Sequence, residues 1–180
     1  MDRNSLIWIC GVVMLTLAAF FIEEQLGLLG EGTRAPDFTA TLGNGTRISL
    51  SDYFGKKNVV LFFYPRDFTA GCTAQVCSIR NGYGELSKLD AEVFGVSDDS
   101  SNSHSLFRAR YNLPFELVAD VNRSLIKAFG ADRLRGLVRS TRRVTYVIDK
   151  RGIIRLVAHH EFMMGRHLED VLRVLGSLQQ

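Results

Sequence analysis

The sequence has only three cysteines in 180 residues, too few for a disulfide-built scaffold, and the odd count leaves one over. No Cys-x-x-Cys pair occurs, which removes the usual signature of a dithiol oxidoreductase. The four histidines have no zinc-type ligand spacing. Charge of one sign is not in large excess: the formal net charge is +3 and the pI is near 8.9. The basic residues do not interleave with aromatics, so nucleic acid is not an expected partner. There is no internal repeat and no low-complexity tract.

What is present suits one globular unit, since 46% hydrophobic residues is ample for a core. One long uncharged run stands apart from it. Residues 6–22 are apolar on every face, preceded by Asp2 and Arg3 and followed by Glu23 and Glu24. Ala18-Ala19-Phe20 offers only a weak cleavage site, and Cys10 lacks the small neighbours of a lipoprotein site. An uncleaved membrane anchor is the first reading, a cleaved signal with a secreted or periplasmic product the second, and a buried soluble helix the third. Arg3 and the amino terminus before the run favour a cytoplasmic N-terminus, with the globular part outside the cytoplasm. The expected organisation is a flank at 1–5, the anchor or signal at 6–22, a tether at 23–32 and a catalytic domain at 33–180.

Within that domain short β runs alternate with helical patterns. Residues 58–64 (NVVLFFY) and 91–97 (AEVFGVS) read as strands buried on both faces. Residues 47–50 and 115–119 read as shorter strands, and 144–149 with 153–158 as a hairpin around Lys150-Arg151-Gly152. Helices are expected over 72–89, 101–111, 123–129 and 167–178, the last with Leu168, Val171, Leu172 and Leu175 at helical spacing. Alternation followed by a hairpin and a helix predicts an α/β domain: a mixed central sheet with helices on both sides. A thioredoxin-like fold fits this order, although periodicity alone does not separate it from other α/β layers.

Cys72 ends the loop Pro65 to Gly71 and opens a helix. Free N–H groups and the dipole at a helix N-terminus favour an anion, so a cysteine there is disposed to be a thiolate. Thr69, three residues upstream, has a hydroxyl able to turn toward the sulfur, and Pro65 limits the loop backbone that covers it. A buried structural thiol is the plainer alternative, but it does not account for a loop–helix junction between Gly71 and Thr73.

These residues resemble the peroxiredoxin signature Pro-x-x-x-Thr-x-x-Cys, met by Pro65, Thr69 and Cys72. The run Cys72-Thr73-Ala74-Gln75-Val76-Cys77 is similar to the Q-type, or bacterioferritin-comigratory, subfamily. Ala35-Pro36-Asp37-Phe38, Gly95-Val96-Ser97, Ser103-His104-Ser105-Leu106-Phe107 and Leu113-Pro114-Phe115 extend the likeness from about residue 33 to the C-terminus. Ala70 stands where the family commonly has proline, and Asn81 and Gly82 where it often has charged residues.

The resemblance implies a peroxiredoxin fold and a thiol peroxidase acting on hydrogen peroxide and organic hydroperoxides. Cys72 would be peroxidatic and Cys77 resolving, with re-reduction by a thioredoxin-like dithiol. No cofactor or metal is expected, and a monomer is the expected state, although the sequence does not show whether the domain dimerises. The resemblance also implies an arginine before a strand, as Arg-x-Thr-Tyr-Val, which Arg143-Val144-Thr145-Tyr146-Val147 meets. Arg139-Ser140-Thr141 is a decoy, because no strand is expected directly after it. Arg133, Arg135, Arg139 and Arg142 read as a solvated loop.

If Cys72 and Cys77 share one helix, five residues place their Cα atoms roughly 8.6 Å apart. A disulfide spans about 4.4–6.8 Å, so the first turn must unwind before the bond closes. Gly82 and Gly84 should weaken the helix by about 1 kcal/mol each relative to alanine. A membrane-anchored copper-delivery factor is the rival class, with the two cysteines and one of His159, His160 or His167 as ligands. Such proteins space their cysteines more closely, and that class needs neither Thr69 nor Arg143. The remaining histidine roles expected are surface groups or caps.

Overall fold

The computed structural model describes residues 27–43, 45–135, 138–160 and 163–179. Five strands form the central sheet: β3 (Asn58–Phe63), β4 (Ala91–Ser97), β5 (Glu116–Ala119), β8 (Val144–Ile148) and β9 (Ile154–His159). Their order is β5-β4-β3-β8-β9. The pairs β3–β4 and β4–β5 are parallel, while β3–β8 and β8–β9 are antiparallel. The mixed α/β sheet read from the sequence is the sheet observed. Helix α1 (Ala70–Lys88) crosses from β3 to β4, and α2 (Ser101–Tyr111) from β4 to β5. The short α3 (Ser124–Ala128) follows β5, and α4 (Met164–Ser177) ends the fold.

The central strand shows why its sequence is apolar at every position. All six residues of β3 are buried. Val59, Leu61 and Phe63 point into one core with α3 residues Leu125 and Ile126 and the adjoining Phe129. Val60 and Phe62, followed by Tyr64, point into the other, against Cys72, Val76 and Ile79 of α1, Phe107 of α2 and Val171 and Leu175 of α4. A strand turns alternate residues to opposite faces, so covering both faces requires an unbroken apolar run.

Two small hairpins are not legible as pairs in the sequence. Strand β1 (Thr39–Thr41) pairs with β2 (Arg47–Ser49), and β6 (Asp132–Arg135) with β7 (Val138–Thr141). The second replaces the solvated loop expected around the arginine cluster. The hairpin turn at 150–152 is present, with the Asp149 carboxylate accepting the N–H groups of Arg151 and Ile153.

Residues 27–32, expected within a tether, lie along β9. Gly32 donates to the Ile154 carbonyl, Leu28 and Leu29 pack on the core, and the Glu31 side chain accepts the Val157 N–H. The apolar segment 6–22 falls outside the described residues. Gly82 also differs from its expected role. A Cβ there would sit 2.6 Å from both methyl carbons of Leu168, so this glycine lets α1 lie close against α4.

Candidate active site

The register of the sheet assembles the site. Phe63, the last residue of β3, pairs with Val144, the first of β8. The loop leaving β3 and the residue entering β8 therefore meet at one end of the sheet. The chain after Tyr64 runs through half-buried Pro65 to Thr69, which caps α1 with extended backbone and no side-chain capping bond. Cys72 lies in the first turn of α1 and is fully buried.

Arg143 reaches this turn from the other strand. One of its terminal nitrogens lies 3.5 Å from the Cys72 sulfur, and the other donates to the Gln75 side-chain oxygen at 2.5 Å. Arg143 is 6% exposed and Gln75 fully buried, so water competes little for either contact. Gly71 leaves room for the guanidinium: a Cβ there would stand only 3.2 Å from the nitrogen that faces Cys72. A fixed guanidinium beside the first turn of a helix favours an anion that develops next to it.

The other expected residues take various places. Arg139 sits exposed on β7, opposite Leu134. The Thr69 hydroxyl donates to the Arg66 carbonyl at 3.0 Å, so its proton is committed to the loop and its oxygen remains an acceptor. Cys77 is half-buried further along α1, against the same core as Cys72, and both thiols are free. Gln75 was not singled out from the sequence, although its position three residues after Cys72 on one helix puts the two on the same face.

Two histidines expected at the surface are buried. His104 and His167 are both inaccessible to solvent. His167 donates from Nε2 to the His160 carbonyl at 2.9 Å and accepts the Thr145 hydroxyl at Nδ1, also at 2.9 Å. Burial, offset in part by that carbonyl, lowers its pKa to about 4, so it is neutral at physiological pH. Both nitrogens being engaged, it is not placed to bind copper. Among the described residues no group of possible ligands joins either cysteine to a histidine; the group found is Asp67, Asp99 and His104.

The AhpC/TSA family profile matches residues 32–157. Peroxiredoxin Q, chloroplastic, of Sedum lineare is 41% identical over 150 residues, covering 83% of this chain and 79% of that protein. The protein of the same name from Suaeda salsa is 40% identical over 151 residues, covering 83% and 69%. The chain belongs to the AhpC/TSA family. Among solved structures, peroxidoxin BcpB from Mycobacterium tuberculosis superposes with a TM-score of 0.79 at 29% identity, covering 84% of this chain and 99% of that one. PrxQ from Xylella fastidiosa gives 0.78 at 28% identity, covering 84% and 98%. This AhpC/TSA member is thus a Q-type peroxiredoxin with the thioredoxin-like fold, an enzyme of the thioredoxin-dependent peroxidase class.

One sequence expectation is overturned by these comparisons. A membrane-anchored domain outside the cytoplasm does not agree with relatives that are named as chloroplastic. No helix among the described residues is long and apolar enough to cross a membrane. The 17 residues of the apolar run are also at the short end for spanning a hydrocarbon core of about 30 Å.

Proposed function

We propose that this peroxiredoxin reduces hydrogen peroxide and organic hydroperoxides through Cys72, with Cys77 as the resolving thiol. The observation that carries the reading is the buried Arg143 guanidinium 3.5 Å from the Cys72 sulfur, at the first turn of α1. The thiolate attacks one peroxide oxygen. An S–O bond forms, the O–O bond breaks, and the departing oxygen leaves as water or an alcohol once protonated. Arg143 stabilises the negative charge as it moves from sulfur to the leaving oxygen. The Thr69 oxygen, its own proton held by Arg66, accepts a hydrogen bond from the O–H of the incoming peroxide. Pro65 keeps water from the sulfur.

The Cys72 sulfenic acid then condenses with the Cys77 thiol, forming the disulfide and releasing water. Both residues lie on α1, so the helix must first unwind at its N-terminal end. That turn lacks two usual supports of a helix start: Thr69 makes no side-chain cap bond and no acidic residue supports the dipole. A thioredoxin-like dithiol supplies the two electrons that restore both thiols.

The test uses single cysteine variants. Cys72→Ser should abolish peroxide reduction. Cys77→Ser should reduce about one peroxide per chain and then stall unless a small thiol is added. Sustained turnover by Cys72→Ser would refute the assignment.

A further inference from the structure

Beneath the loop that carries Thr69 and Cys72 lies a buried polar network that the peroxide chemistry does not use. Asp67 is 4% exposed although its neighbours Arg66 and Phe68 are both exposed. Its carboxylate accepts the Tyr64 hydroxyl at 2.8 Å through one oxygen. The other oxygen accepts the Ser103 hydroxyl at 2.7 Å and lies 2.9 Å from His104 Nδ1. The Asp67 N–H donates to the Asp99 carboxylate at 2.9 Å.

His104 is also inaccessible, and its Nε2 lies 3.2 Å from the Val118 carbonyl. A carbonyl only accepts, so Nε2 donates to it, and Nδ1 makes the ring's second contact with the Asp67 carboxylate. Asp67 thereby ties the end of β3, its own loop and the first turn of α2 together, and reaches β5 through His104. Asp67, Asp99 and His104 are close enough to resemble a cation site. Both Asp67 oxygens and both His104 nitrogens are already engaged within the protein, which makes the group a structural lock.

The hydrogen bonds of the lock end at Asp67, and beyond it the Phe68 ring packs edge-on against Phe107 of α2, 4.9 Å between centroids. Phe68, the next residue, holds a left-handed φ of 60°, unfavourable for a bulky side chain, and is 49% exposed. After it come exposed Thr69 and Ala70 and the weakly capped first turn of α1.

We propose that Asp67 and His104 are positioning residues for the peroxidase reaction. They fix the upstream end of the segment bearing Thr69 and Cys72, so the reduced sulfur is held ready for peroxide. They also bound the later unwinding, which starts at Phe68 and leaves everything before it in place. The inference rests on Cys72 and Cys77 reacting as proposed above, but it concerns how the two steps respond separately.

The experiment measures two rates on the full chain by rapid quench, thiol alkylation and mass spectrometry: oxidation of Cys72 by hydrogen peroxide, and closure of the disulfide. Asp67→Ala should slow oxidation at least tenfold and leave closure as fast as in the parent, or faster. Asp67→Asn should recover oxidation to within about threefold, since its amide can donate to a neutral His104 Nδ1 while its oxygen still accepts Tyr64. Ser103→Ala removes one donor with little risk to folding and should shift the two rates in the same sense by a few fold. If Asp67→Ala does not fold, the other two variants decide.

Oxidation within twofold of the parent in Asp67→Ala would overturn the proposal, as would equal loss of both rates or an asparagine variant no better than alanine. With Ser103→Ala alone to judge, an unchanged oxidation rate would do so. Failure of the underlying cysteine assignment is recognised separately, because the parent protein would then form no Cys72–Cys77 disulfide.

Discussion

Arg143 and Arg139 differ by four positions and share the same local sequence flavour, yet their surroundings differ completely. Arg143 is buried and divided between the Cys72 sulfur and the Gln75 oxygen, whereas Arg139 lies exposed on β7. A lysine in place of Arg143 would keep the charge but lose the planar fork that reaches both partners at once. Arg143→Gln should slow Cys72 oxidation by a factor on the order of 10², the scale of losing one preorganised donor. Arg139→Gln should stay close to the parent. Stopped-flow oxidation of the two variants checks the ranking, and a larger loss at Arg139 would reverse it. In the sequence, counting back from the strand separates Arg143 from Arg139, because the strand that follows Arg143 is strongly apolar. Gln75 was less legible: a polar residue on a half-buried helix looks solvated until a buried partner is seen to face it.

Helix α1 carries both cysteines, and its glycines have different consequences. Gly84 has nothing within 4 Å of a would-be Cβ, while Gly82 has both Leu168 methyl carbons at 2.6 Å. Gly84→Ala should therefore stabilise the protein by up to about 1 kcal/mol through helix propensity. Gly82→Ala should destabilise it by about 1–2 kcal/mol, because Leu168 must leave its position in the α1–α4 contact. Chemical denaturation of the two variants measures the difference, and equal effects would show that the close approach costs nothing. A sequence reading assigns both glycines the same helix-weakening role, since the partner of Gly82 lies 86 residues away on another element.

For the molecule as a whole, acid stability should carry the mark of His167. Its folded pKa of about 4 lies below the ordinary 6.5, with burial the main cause. The unfolded chain takes up the proton first as pH falls, so stability is lost between about pH 6.5 and pH 4 and is intact above that window. The shift corresponds to roughly 3 kcal/mol at its acid end. Urea unfolding at pH 7.5 and 4.5 should show a larger acid loss in the parent than in His167→Gln, whose amide retains a donor and an acceptor. Equal losses would mean that another group governs acid unfolding. The position of His167 was partly written in the helix pattern, four residues before Val171 and eight before Leu175, both buried. Periodicity and loop chemistry by themselves determined the alternating strands and helices, the Lys150–Gly152 turn and the junction that offers Cys72, because these depend on neighbours a few residues apart. Strand order was decided only by the tertiary structure. Placing β3 between β4 and β8, with Phe63 against Val144, carries Arg143 across 71 residues to the Cys72 sulfur. It likewise carries His104 to Asp67, since a buried polar group is tolerable only where another part of the chain supplies its partner.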